Sequence, residues 1–189
     1  MKNNKPYIVA LGICKNEEKN IARWYENVSK VAEDVFLLDT GSTDATVYLA
    51  EKLGINVEHL WFFEGSFSFA TARNEALKLI PSPADWIIFT DIDEVFAEES
   101  IDVIRAITRN PKVISERAEC DGVMCEIRTL NDSGNVIMQS RNGNPRILRW
   151  RGADTLHFEG DLHEQIAIKG KDKQNVPLTI STYLLLMTL

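Results

Sequence analysis

Two groups of aspartates, each at the end of an apolar run, hold the densest chemistry in this chain. The first is Val35-Phe-Leu-Leu-Asp39-Thr-Gly-Ser-Thr-Asp44, and the second is Trp86-Ile-Ile-Phe-Thr-Asp91-Ile-Asp93-Glu94. Bunched carboxylates repel one another, and a hard divalent cation such as Mg²⁺ or Mn²⁺ relieves the repulsion. Such a cation in turn suits a diphosphate. An Asp-x-Asp on its own says little, because 12 aspartates in this chain make about one such triplet by chance. Its context says more. The preceding apolar residues read as a buried strand, and strand alternation predicts Asp91 and Asp93 on one side with Ile92 on the other. The plain alternative is a solvated acidic turn that caps the next helix. For Asp39 to Asp44 the alternative is a strand-to-helix connection whose Ser42, Thr43 or Asp44 caps the helix.

Three further groups accompany the acids. Ala72-Arg73-Asn74 sits early in a helical stretch, where Arg73 is either a diphosphate or carboxylate partner or a surface arginine. Phe62, Phe63, Phe67 and Phe69 form an aromatic group that reads better as core than as a stacking platform. Gly160-Asp161-Leu162-His163-Glu164 offers His163 as a metal ligand or proton carrier and Asp161 or Glu164 as a general base. His59 and His157 have less context and read as structural. The chain has no Gly-x-Gly-x-x-Gly, no Walker A lysine loop and no nucleophile elbow.

The elements that must position these residues are legible in outline. Tyr7 to Ile13 reads as strand one. Asn16 is a candidate N-cap with Glu17 and Glu18 in the first turn, and Ile21, Trp24, Val28 and Val31 then recur at helical spacing. Val35 to Leu38 is strand two, followed by a turn at Gly41 and a helix to about Leu53, with Gly54 just past its end. Asn56 to Phe62 is strand three, Ser68 to Ile80 a helix, Trp86 to Thr90 strand four and Ser100 to Thr108 a helix. Such alternation predicts a mostly parallel sheet covered on both faces, whose ligands bind at the carboxyl ends of the strands. After about residue 110, Gly122 to Leu130 and Val136 to Ser140 flank Asn131-Asp-Ser-Gly-Asn135, a hairpin signal. Arg146 to Trp150 and Glu164 to Lys169 are further short strands. The whole is expected to be one α/β domain over residues 1–189, with a small antiparallel extension.

Composition sets the outer bounds. The chain has 189 residues, 44% of them apolar and 26% charged, which is the profile of a globular domain. A net charge of −7 and a pI near 5.1 argue against a broad basic surface for nucleic acid. Cys14, Cys120 and Cys125 have no metal spacing and read as free thiols in a reducing compartment. No stretch has the length of a membrane span and no signal peptide is seen. A cytoplasmic protein, or one peripheral at the inner face of the membrane, is expected. The apolar end, Thr182 to Leu189, is a last strand or helix packed on the core, or else marks a truncated domain or a segment buried in a partner, such as a homodimer.

In this order the pieces resemble family 2 glycosyltransferases of the GT-A fold. The residues that carry the resemblance are Ile13-Cys-Lys-Asn16-Glu17, Leu38-Asp39-Thr-Gly-Ser-Thr-Asp44, Ala72-Arg73-Asn74 and Thr90-Asp91-Ile-Asp93-Glu94. Gly160 to Glu164, after Asn144-Pro145-Arg146, is similar to the later Gly-x-x-His-Glu segment of a bacterial subgroup. The resemblance implies a GT-A-like nucleotide-binding sandwich and an inverting, metal-dependent transfer of a sugar from a nucleotide-sugar donor, UDP-linked by preference. The acceptor is a hydroxyl on a glycan, a lipid-linked molecule or a protein, in cell-envelope or glycoconjugate synthesis. It implies donor contacts from Asn16, Glu17, Asp39, Asp44, Arg73 and Asp91, with Asp39 on the base and Asp91 near the ribose. Asp93 and His163 would hold Mn²⁺ or Mg²⁺, and Asp161 or Glu164 would be the base. A nucleotide-sugar-binding module without turnover is the alternative. A dehalogenase-type phosphatase would carry its Asp-x-Asp after the first strand, and a sugar nucleotidyltransferase would carry a Gly-rich loop with Arg there. This chain has neither.

Overall fold

A computed structural model of the chain describes residues 5–63, 65–110, 121–131, 133–140, 145–160, 165–169, 175–176 and 180–188. In chain order its elements are β1 (Ile8–Cys14), α1 (Ile21–Val28), β2 (Asp34–Asp39), α2 (Thr46–Lys52), β3 (Asn56–His59), α3 (Phe69–Leu77), β4 (Trp86–Phe89), β5 (Glu94–Phe96) and α4 (Glu98–Arg109). There follow β6 (Gly122–Leu130), β7 (Val136–Ser140), β8 (Ile147–Arg149), β9 (Leu156–Glu159), β10 (Gln165–Lys169), β11 (Asn175–Val176) and β12 (Ile180–Thr188).

A nine-stranded sheet runs in the order β3-β2-β1-β4-β8-β6-β12-β5, with β7 beside β6. The first four strands in that order are parallel, as expected. β8 joins β4 and β6 antiparallel, so the antiparallel strands continue the same sheet. A separate antiparallel sheet of three strands, β11-β10-β9, completes the α/β architecture. The chain steps outward from β1 to β2 and β3, then returns to place β4 on the other side of β1. The order therefore reverses between β1 and β4, and the carboxyl ends of strands at such a reversal are where open α/β sheets bind their ligands.

Pleating assigns the core. Ile8 and Ala10 of β1 face one side with Trp24 and Val28 of α1, Ile104 and Ile107 of α4, and Leu37 and Ile88. Val9 and Leu11 face the other with Ala72, Ala76 and Leu77 of α3, Phe158 of β9, and Ile87 and Phe89. Because both faces are covered, β1 and β4 are apolar at nearly every position rather than at alternate ones. Gly12 marks the tightest contact. A Cβ there would lie 2.6 Å from Ile92 Cδ1 and 2.9 Å from the Trp24 ring.

Several expectations change. Asn16 is not an N-cap: it takes a left-handed φ of +59°, and α1 starts only at Ile21. β3 ends at His59, short of the expected Phe62. The aromatic residues after it lie mostly at the surface, with Phe63 90% exposed. Of the four, Phe62 packs against the core. The C-terminal segment is a strand, β12, with β6 on one edge and β5 on the other. Glu94–Phe96, Leu156–Glu159 and Asn175–Val176 were not foreseen as strands, being too short to carry a period. Cys14 and Cys125 are buried, and Cys120 lies outside the described residues. Among the described residues no helix is long and apolar enough to cross a membrane.

Candidate active site

Two loops meet at the carboxyl ends of β1 and β2. The Asn16 amide N–H donates to Ser42 Oγ at 2.9 Å, and the Thr43 N–H donates to Asn16 Oδ1 at 2.7 Å. The Glu17 N–H donates to Thr46 Oγ1 at 2.7 Å, and the Glu18 N–H to Asp44 Oδ2 at 3.2 Å. Asn16 thus trades helix capping for a left-handed turn that clamps the two loops together. Asp44 Oδ1 accepts from the Thr46 N–H at 3.0 Å, just before α2. Desolvation works against its charge, but the hydrogen bonds from Thr46 and Glu18 together prevail and hold its carboxyl below the ordinary value.

Asp39 ends β2 and is 1% exposed. Its carboxylate accepts from the Gly41 N–H at 3.2 Å, the Ser42 N–H at 3.1 Å, the Cys14 thiol at 3.6 Å and the His59 ring at 3.2 Å. Burial alone would raise its pKa, but the bonds from Ser42, His59 and Gly41 outweigh burial and lower it. Burial, then the Asp39 charge, pushes the Cys14 thiol up, so it stays a proton donor to Asp39. Asp39 is therefore the hub that folds its own loop.

The second acidic segment is a turn rather than a strand end. β4 stops at Phe89, and the Glu94 N–H donates back to the Asp91 carbonyl at 3.0 Å. Ile92 is buried against Gly12 and Trp24, while Asp91 and Asp93 are half-buried. The expected division of these three residues survives, made by a turn. Thr90 Oγ1 accepts from the Trp24 indole N–H at 2.8 Å and anchors the turn to α1.

Cations tie this turn down. Arg73 lies in α3, 5% exposed, with its guanidinium 5.1 Å from the Phe89 ring centroid and 5.5 Å from that of Phe158. Its Nη2 donates to Asp91 Oδ1 at 3.2 Å, which rules out the surface-arginine alternative. Arg146 donates to Asp91 Oδ2 at 3.2 Å and to Glu94. Burial, with Asp91's charge adding, pushes Glu94 up to about 7 against the pull of Arg146. Arg23 Nη2 reaches the Asp93 carbonyl at 3.3 Å.

Asp93 differs from its neighbours. Burial, then the charge of Asp91, raises its pKa. Among the described residues no side chain donates a hydrogen bond to its carboxylate. Among them, too, no three His, Cys, Asp or Glu side chains form a group that could hold a metal ion. A half-buried carboxylate that accepts from no described side chain fits an open Mg²⁺ or Mn²⁺ site, in which substrate phosphates and water would complete the shell. Asp161, His163 and Glu164, expected as base and metal ligand, lie outside the described residues.

Sequence reasoning missed four participants. Arg146 precedes an ordinary short strand and has no local signal. Cys14 and His59 matter only because the parallel register sets both beside Asp39. Trp24 read as core, and its N–H role depends on where Thr90 lies. The structure brings together Asn16, Glu17, Asp39 and Asp44 as one group and Arg73 with Asp91 as another.

The family model for Glycosyl transferase family 2 matches residues 12–163. An uncharacterized glycosyltransferase of Rickettsia conorii is 37% identical over 102 residues, covering 53% of this chain and 33% of that protein. The SPbeta prophage-derived glycosyltransferase SunS of Bacillus subtilis is 29% identical over 166 residues, 87% of this chain and 36% of that protein. This chain thus matches about a third of the length of such relatives. Among solved structures, S. aureus TarS 1-349 in complex with UDP-GlcNAc is similar in fold, with a TM-score of 0.61 at 17% identity, covering 95% of this chain and 58% of that one. The match over residues 12–163, on a sheet whose acidic loops stand at the carboxyl ends of its parallel strands, shows the family: the chain belongs to glycosyl transferase family 2.

Proposed function

We propose that this domain holds a nucleotide-sugar donor, UDP-linked by preference, and transfers its sugar with inversion to an acceptor hydroxyl in cell-envelope or glycoconjugate assembly. The observation that carries the reading is the pairing of the Asp39 loop with the Asp91–Glu94 turn at the carboxyl ends of β2 and β4, on either side of β1. The TarS neighbour, solved with UDP-GlcNAc, supports a fold of this kind as a nucleotide-sugar holder.

In this reading Asn16, Glu17, Asp39 and Asp44 shape the base and ribose end. Arg73 and Arg146 hold Asp91 toward the ribose. Asp93, with His163, would hold Mn²⁺ or Mg²⁺. A bound cation of this kind supplies Lewis-acid neutralisation of the charge that develops on a leaving diphosphate. Asp161 or Glu164 takes the proton of the acceptor hydroxyl as its oxygen attacks the anomeric carbon from the face opposite the nucleotide.

The test is thermal stability with UDP, GDP, CDP and ADP, each with and without Mn²⁺. A ligand at 100 times its Kd adds about 2.7 kcal/mol, a clear rise in Tm. A shift for one nucleotide, larger with metal and lost in Asp93→Asn, is the expected result. The absence of any shift overturns the reading. Donor hydrolysis and transfer assays on the same protein separate an enzyme from a binding module that lacks turnover.

A further inference from the structure

The opposite end of the sheet, at the amino ends of the parallel strands, carries a second concentration of charge. A cavity of about 300 Å³ opens there between the residues before β1, the turn after α1 and the last turns of α4. Buried Ile8 and Val31 form its apolar side, and Lys5, Lys30, Arg105 and Arg109 supply four cations. Among the described residues no carboxylate lines it, although acids outnumber Lys and Arg by 28 to 21 in the chain.

The acids that balance these cations stand outside the cavity. Lys5 Nζ lies 2.6 Å from Glu33, Lys30 pairs with Glu98, and Arg105 Nη1 lies 3.0 Å from Asp102. The Glu98 and Asp102 side chains are 76% and 87% exposed, so water competes for both pairs and an incoming anion displaces them at little cost. Arg105 Nη2 also donates to the Lys30 carbonyl at 2.8 Å, which fixes the guanidinium across the two walls of the cavity. Arg109 has no carboxylate partner among the described residues. A plainer account is that cations suit the negative ends of α1 and α4. It covers Lys30 and Arg109, but neither Lys5, which belongs to no helix, nor a lining without acids.

We propose that this cavity binds a phosphate monoester with a compact apolar body, at a site separate from the donor site. Such a phosphate carries close to two negative charges at neutral pH and three strong acceptor oxygens, enough to engage several cations at once. The arginines offer planar forks and the lysines mobile point charges, and a carboxylate monoanion would leave most of them unengaged. Ile8 and Val31 take the body of the ester. The volume lies at the small end of ligand sites, which suits one small ester or one lipid headgroup. The proposal does not rest on the nucleotide-sugar reading, because the two sites lie at opposite ends of the sheet.

Calorimetry with inorganic phosphate and phenyl phosphate, in EDTA to keep metal from the acidic turn, tests this on the wild-type protein and on a double variant, Lys30→Gln with Arg109→Gln. Both replaced side chains are exposed, so the fold is kept, and an unchanged Tm checks it. The wild type is expected to bind one phenyl phosphate, and to bind it more tightly than inorganic phosphate, since only the ester reaches the apolar side. The double variant should bind it at least about tenfold more weakly, the scale of lost charge-assisted hydrogen bonds. A wild-type measurement needs no variant: saturating UDP with Mn²⁺ should leave the phenyl phosphate affinity unchanged. Flotation with phosphatidylcholine vesicles, with and without phosphatidic acid, separates the two sources of ester. Binding that requires phosphatidic acid and is lost in the double variant assigns a lipid headgroup, and phenyl phosphate binding without vesicle binding assigns a free ester. Equal affinity for the two soluble phosphates overturns the apolar body. Binding of neither phenyl phosphate nor vesicles, binding that the double variant retains in full, or displacement by UDP overturns the site.

Discussion

Arg146 stands between Asp91 and Glu94, and its guanidinium is nearly enclosed. Removing one member of such a group leaves buried charge without a partner, which costs about 3–5 kcal/mol. Arg146→Met is therefore expected to lower the denaturant midpoint strongly, and Arg146→Lys to recover only part of the loss, since an ammonium lacks the planar fork. Asp39 makes a pH prediction. Its folded pKa lies below the ordinary 3.8, so its hydrogen bonds contribute stability that is full above that value and is lost as pH falls through the lowered one. Asp39→Asn, whose amide cannot accept from both loop N–H groups and His59, should be less stable near neutral pH. It should also lose less stability on acidification than the wild type. Unfolding curves across the acid range read both effects.

At the scale of elements, the least forgiving contact is β1 against α1 and the acidic turn. Gly12→Ala pushes a methyl into Ile92 and Trp24, and overpacking of this kind costs about 1–3 kcal/mol. Because Ile92 sits between Asp91 and Asp93, the same change should weaken Mn²⁺-dependent nucleotide binding beyond the loss of Tm, a difference that titration at a temperature well below Tm would detect. Asn74 ties α3 to β9, with Nδ2 donating to the Phe158 carbonyl at 2.9 Å and Oδ1 accepting the Phe158 N–H at 2.8 Å. Asn74→Ala leaves both backbone groups unpaired, at about 1–3 kcal/mol. Cleavage at β9 by a protease at low dose should then precede global unfolding. These elements were unequally legible. Ile21, Trp24 and Val28 spell out α1 because one helical face is buried, and all three are. β5 and β9 run for only three and four residues, and pairing partners far along the chain create them.

For the whole molecule, the sheet order reverses between β1 and β4 and puts both acidic loops at the same end of the sheet. Chelation offers a test at this scale. If the raised pKa of Asp93 reflects a site made for a cation, EDTA should remove most of the UDP-induced rise in Tm and leave the Tm of the nucleotide-free protein nearly unchanged. The sequence by itself determined the α/β class, the parallel first half and the place of the two acidic segments after their strands. Those features rest on local chemistry: apolar runs ending in carboxylates, turn glycines and helical spacing are all readable within about a dozen residues. Tertiary structure alone decided that Asp39 is held by its own loop and by His59, and that Arg146 clasps Asp91. Each of those facts depends on strand register and sheet order, which join residues 20 and 55 positions apart and which no local pattern encodes.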